Sequence, residues 1–167
     1  MEQPFRRRLI AAASVAAVFA VPAVDSAAQV ARRTPDVPLP GPPDWKGALE
    51  ASRTERMPIV LMFSRAGCPY CIALRRDSLR HLAAEAPQRG ILFFELDVAD
   101  DRPIGAASGV TGVSLAREFA VTVTPTVVFV GPGGELAERL LGYGSRDFYN
   151  AYLDERIEQA RRRLAGS

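Results

Sequence analysis

The sequence predicts an α/β domain built on a four-stranded mixed sheet with helices on both faces. Three observations point there. The apolar run "IVLMF" (59–63), an amphipathic stretch from Cys68 to about Ala86, and a second apolar run "ILFFELDV" (91–98) form a β-α-β unit, which implies two parallel strands. "TPTVVFV" (124–130), "GPGG" (131–134) and "ELAERLLGY" (135–143) read as strand, turn, strand, a hairpin that adds antiparallel partners. Helical periodicity flanks these segments at both ends of the domain.

Pro43-Asp44 is a helix-start signal, and Trp45, Ala48, Leu49 and Ser52 then fall on one face until Met57-Pro58 stops the helix. In the helix from Cys68, residues Ile72, Leu79, Leu82, Ala83 and Ala86 share a face, and "PQRG" (87–90) ends it. "ADDRPIGAASGVTG" (99–112) is a loop and "VSLAREF" (113–119) a short helix. Ser145 is placed to cap a last amphipathic helix through Phe148, Tyr152, Ile157 and Leu164, with Arg161–Arg163 at its negative dipole end.

The first 28 residues have the three-part layout of an export signal: Arg6–Arg8, an apolar stretch from Leu9 to Val24, and small residues with Ser26 and Ala28 at the −3 and −1 positions of a cleavage site. The stretch is short for a bilayer crossing, which needs roughly 20 apolar residues, and it contains Pro22. An uncleaved membrane anchor is the alternative. "RRRLI" also fits a loose twin-arginine pattern. Residues 29–43 carry five of the chain's 13 prolines and read as a semi-rigid tether, leaving 44–167 as the domain. Losing residues 1–28 removes three arginines and two acids from a net charge of +2, leaving +1, so nucleic acid is not an expected partner. Export places the domain in an oxidising periplasm.

There the two cysteines of the chain, Cys68 and Cys71 in "GCPYC", become the centre of interest. Two cysteines with two residues between them can close a small-ring disulfide at a helix start. Pro69 suits the first helical position, where its missing N–H loses nothing. Cys68 faces unpaired amides and the positive dipole end, which lower a thiol pKa from about 8.5. Its thiolate would attack a partner's disulfide and Cys71 would resolve the mixed species. Gly67 leaves room for a substrate backbone. A purely structural disulfide is the first alternative, though cross-linking so few residues removes little unfolded-state entropy. Zinc is the second; it needs about four ligands, and His81 lies roughly 15 Å further along the helix on the opposite face, so no metal is expected.

Strand–CPYC–helix followed by "VTPTVVFVGPGGELAERLLGY" resembles the thioredoxin superfamily over roughly residues 44–160. The resemblance implies a thioredoxin-like fold, no cofactor beyond a redox-active Cys68–Cys71 disulfide, and a cis-proline at Pro125 packed against that pair. Thr124 would then offer its backbone to a substrate, with Pro69 and Tyr70 also in the groove, and Arg65 and Tyr70 would tune potential and docking. CPYC is the glutaredoxin dipeptide pattern, but the leader, the N-terminal helix and "GPGGEL" look more like exported thioredoxin-like proteins. Such proteins act on protein thiols and disulfides and receive electrons from a membrane donor. No large insertion precedes Pro125, unlike the periplasmic disulfide-forming oxidant.

Two departures stand out. Met62 occupies the position where thioredoxin has a buried aspartate, and Gly67 replaces its tryptophan. The candidate substitutes for the missing acid are Glu95 and Asp97, which end a strand expected beside 59–63; either can equally be a solvated strand-end residue. The expected protein is thus a monomeric periplasmic thiol–disulfide oxidoreductase working in the reducing direction, with Cys68 as nucleophile, Cys71 resolving, and Glu95 as a candidate proton acceptor. A non-catalytic thioredoxin-like adaptor and a glutathione-dependent, glutaredoxin-like reductase are the alternatives.

Overall fold

A computed structural model describes residues 36–105 and 109–166. The expected leader (1–28) and the first part of the expected tether (29–35) lie outside the described residues. The elements are α1 (Trp45–Glu55), β1 (Ile59–Ser64), α2 (Pro69–Leu74), a π-helical segment (Arg75–Leu79), α3 (Arg80–Glu85), β2 (Leu92–Asp97), α4 (Gly112–Glu118), β3 (Thr126–Gly131), β4 (Gly134–Leu141) and α5 (Arg146–Ala165). The strand order is β2-β1-β3-β4. β1 runs parallel to β2 and antiparallel to β3, and β3–β4 is the antiparallel hairpin. This is the α/β sheet the patterns predict.

β1 explains the arrangement. Every residue from Ile59 to Phe63 is fully buried, because a central strand with both faces covered has no solvent side. Val60 and Met62 face one layer with Phe93, Val127 and Phe129, against Cys71, Leu74, Leu79 and Leu82 of the α2–α3 run and Leu153 and Ile157 of α5. Ile59, Leu61 and Phe63 face the other with Val128 and Val130, against Trp45, Ala48, Leu115 and Phe119. Trp45 meets Phe119 edge-on, with ring centroids 6.4 Å apart.

Caps form where the sequence supplies them. The Asp44 carboxylate accepts from the Gly47 N–H at 2.7 Å, and Thr111 and Ser114 form a reciprocal capping box on α4. Ser145 stands at the start of α5 but its side chain makes no capping hydrogen bond.

Three further expectations give way. The helix after Cys68 is not uniform: the π segment inserts an extra residue, so Leu74 and Leu79, five apart, both reach the core, while Ile72 is only half-buried. On α5 the buried stripe is Tyr149, Leu153, Ile157, Ala160 and Leu164; Phe148 and Tyr152 face outward, 71% and 51% exposed. Residues 36–43 are no free tether. They form a strap along β2: the Glu95 N–H donates to the Pro40 carbonyl at 3.0 Å, the Leu39 N–H donates to Glu95 Oε2 at 2.7 Å, and Arg80 Nη2 donates to the Val37 carbonyl at 2.8 Å. No helix among the described residues is long and apolar enough to cross a membrane.

Candidate active site

The site forms where β1 hands over to α2. Gly67 turns the chain at a φ of +72°, a left-handed conformation that glycine adopts without penalty. The Cys68 N–H then donates to the Arg65 carbonyl at 3.2 Å, and the Cys68 carbonyl accepts from Ile72 N–H at 3.1 Å, the first helical bond. Cys68 is therefore the N-cap residue and Pro69 the first helical residue. Its sulfur accepts from the Cys71 N–H at 3.2 Å, the place a capping oxygen would take. An amide donor aimed at Sγ, at the positive end of the helix dipole, favours a thiolate there over a neutral thiol.

Cys68 and Cys71 are joined as a disulfide, with Cα atoms 5.3 Å apart. The two sulfurs are not equivalent. Cys68 is half-buried and reachable, whereas Cys71 is 0% exposed in the core layer with Met62 and Leu74. Across from Cys68 the Thr124–Pro125 peptide is cis. The Thr124 carbonyl oxygen and Thr124 Oγ1 each lie 3.8 Å from Cys68 Sγ. The Pro125 carbonyl is held by the Gly142 N–H at 2.8 Å, which ties this turn to the end of β4.

An ionic cluster centres on Arg75, further along the same helical run. Arg75, one turn after Cys71, donates its amide N–H to the Cys71 carbonyl. Its guanidinium, 3% exposed, grips Asp36 through Nε at 3.0 Å and through Nη2, and reaches Glu95 Oε1 with Nη1. Glu95 is buried and pairs in register with Met62. Asp97 serves the loop above: Oδ2 accepts from the Ala66 N–H at 3.1 Å and Oδ1 from the Ala99 N–H at 2.8 Å, fixing the approach to Cys68. The strap, this loop and residues of the 99–105 segment line an open cleft of about 870 Å³, with Gly67, Arg75 and Glu95 also in its wall.

A family model described as a thioredoxin-like domain matches residues 45–157. The chain belongs to the thioredoxin-like family. Fasciola hepatica thioredoxin is 21% identical, covering 73% of this chain and 99% of its own length, with a TM-score of 0.52. A structure titled DsbH oxidoreductase is 20% identical, covering 73% of this chain and 86% of its own, also at 0.52. Both are likenesses of fold. No curated protein matches the chain.

In this thioredoxin-like chain Thr124, joined by a cis peptide to Pro125, lies against Cys68 of the Cys68–Cys71 pair. Tyr70 is 62% exposed beside them, and Pro69 and Arg65 are exposed on the same loop–helix junction. His81 is exposed, and no group of His, Cys, Asp and Glu among the described residues is arranged to hold a metal. Glu95 stands differently from a free proton acceptor: each carboxylate oxygen already holds a donor, Arg75 on one and the Leu39 N–H on the other. The residues that sequence reasoning missed are Arg75 and Asp36. The available signal was Arg75 at i+4 from Cys71, on the face that meets the sheet.

Proposed function

We propose that the chain is a thiol–disulfide oxidoreductase acting on protein disulfides. The observation that carries this reading is the asymmetry of the pair: a reachable Cys68 sulfur at a helix N-cap, bonded to a wholly buried Cys71. In the reduced protein the Cys68 thiolate attacks one sulfur of a substrate disulfide. That S–S bond breaks and the other substrate sulfur leaves as a thiolate, taking a proton from solvent. Cys71 then loses its proton and attacks the Cys68 sulfur. The intramolecular disulfide forms, the second substrate thiolate departs, and two electrons have passed from the dithiol to the substrate. Thr124 beside Cys68 supplies main-chain atoms on which an extended substrate segment rests, next to Pro125, Pro69 and Tyr70.

The leader-like N-terminus supports a periplasmic setting, where the pair works in the reducing direction as a monomer recharged by a membrane electron donor. No cofactor beyond the cysteine pair enters this cycle. Insulin reduction followed by turbidity, with dithiothreitol as donor, tests the activity. The wild-type chain is expected to accelerate precipitation and Cys68→Ser to abolish the effect. Equal, negligible rates for both would mean a binding adaptor instead.

A further inference from the structure

At the end of the sheet away from Cys68 the domain carries a second cleft, of about 500 Å³, which thiol exchange leaves unused. The strands set the separation. β1 begins at Ile59, shortly after Arg56, and ends at Ser64 beside the Cys68 loop. Val130 of β3 pairs with Ile59, so the Pro132–Gly133 turn lies at the far end too. Six residues of strand span roughly 20 Å. The charged groups in the wall are Arg53 and Arg56 at the end of α1, Arg163 in the last turn of α5, and Glu135 near the start of β4.

Among the described residues the wall therefore holds three guanidiniums and one carboxylate. That carboxylate is spent: Glu135 accepts from Arg139 Nε at 3.2 Å on one oxygen and from Arg139 Nη2 on the other. Arg53 is balanced by Glu50, in an exposed pair. Arg163 donates to the Leu136 carbonyl at 3.5 Å and has no acid partner; the Arg56 side chain has no partner of any kind among the described residues.

Helix dipoles explain part of this. Arg53 and Arg163 stand in the last turns of α1 and α5, where a cation meets the negative end. They do not explain Arg56. It lies past the helix at a φ of +54°, a left-handed conformation that suits glycine and strains a longer side chain. A strained residue with an unpaired charge, in the wall of a cleft, points to binding rather than to folding.

We propose that this cleft is a binding site for a phosphate group, carried by a phospholipid headgroup or by a free phosphate ester. A carboxylate, with two oxygens in one plane, is satisfied by the fork of a single arginine. Arginines brought to one cleft by two helices, and by the residue that ends one of them, suit an anion whose oxygens point several ways. An occupied site leaves the Cys68 end of the sheet free for exchange.

The full chain with 15N-labelled arginine tests this by NMR titration with glycerol phosphate. Sedimentation with vesicles of phosphatidylcholine, alone or mixed with phosphatidylglycerol, is the second arm. Glycerol phosphate should shift the Arg56 and Arg163 side-chain signals and saturate. Arg56→Gly should weaken the affinity about tenfold, the loss of one charge-assisted pair. It should also raise the melting temperature, because glycine relieves the left-handed strain. Arg163→Gln should weaken binding as well, whereas Arg117→Gln, which removes the same charge from α4, should not. Insulin reduction should be unchanged in all three, so this inference and the dithiol reading fail separately. Arg56-dependent sedimentation with phosphatidylglycerol identifies a headgroup as the source; glycerol phosphate binding without it identifies a free ester. The apolar leader is common to every variant, so only differences between variants are read. Four results would each overturn the proposal: no Arg56-dependent binding in either arm, an affinity unchanged in Arg56→Gly, an equal loss in Arg117→Gln, or acetate competing as well as glycerol phosphate.

Discussion

Thr124 sets both its carbonyl oxygen and its hydroxyl 3.8 Å from Cys68 Sγ, across 56 residues of sequence. The same turn is bonded to Gly142 through the Pro125 carbonyl, which ties Thr124 to the end of the hairpin. The hydroxyl is the group whose removal can be read. A donor to the charged form of a thiol lowers its pKa, so Thr124→Val should move the Cys68 titration upward, by less than one unit given the long contact. Iodoacetamide alkylation against pH in a Cys71→Ser background measures it, and an unmoved profile would remove the hydroxyl from the site.

Cys71→Ser should halt the cycle at its midpoint. Cys68 still attacks, but nothing resolves the product, so a substrate remains covalently attached. Non-reducing electrophoresis with mass spectrometry should show a mixed disulfide through Cys68. Absence of any adduct with a disulfide-containing protein would contradict the assigned order of attack.

Tyr149 predicts a stabilising substitution. Its hydroxyl is buried without a partner in the described structure, and burial pushes the phenol up, with Tyr143 nearby as the second cause. Tyr149→Phe removes an unsatisfied polar group and should gain about 1 kcal/mol in chemical denaturation. The pH dependence has a definite sign. A pKa raised above the unfolded value of about 10 gives stability that is present below pH 10 and lost as pH rises through the folded value. The phenylalanine variant should lack that alkaline decline, and an unchanged slope between pH 9.5 and 11 would count against the assignment.

Gly112 lies against the main chain that supports the active-site loop. A Cβ there would stand 2.2 Å from the Asp97 carbonyl oxygen and 3.1 Å from that of Asp100. Both are backbone atoms that cannot swing aside. Gly112→Ala should cost about 3 kcal/mol, the upper end for overpacking. Because the Asp97 side chain holds the Ala66 amide, insulin reduction should fall as well. A variant as stable as wild type would show that this contact is looser than described.

What the sequence revealed and concealed follows from the range of each interaction. Ile59–Phe63 and the Cys68–Pro69 junction are legible because burial on both faces and helix capping are written in adjacent residues. The stripe of α5 was ambiguous for a local reason. Phe148 and Tyr152 stand four apart, as do Tyr149 and Leu153, and the two candidate stripes differ by one residue; only packing against β3 and β4 chooses the second. The π segment has no sequence signature, yet it alone lets Leu74 and Leu79 reach the same layer. Arg75 was hidden by distance. Its partners lie 39 residues before it and 20 after, and an arginine on a helix ordinarily lies in water.

The strap has one more consequence, for how these molecules meet each other. β2 is a border strand of the sheet, and its outward Glu95 amide is spent on Pro40. Pro38, Pro40, Pro42 and Pro43 have no amide hydrogens, so the covering segment cannot pass the ladder on to another chain. Templated growth of the sheet is blocked on that flank. Any strand added by a neighbour must join β4 instead, where Glu135, Glu138 and Arg139 discourage it with charge. The β2 flank of the domain is thereby closed to recruitment by other extended chains.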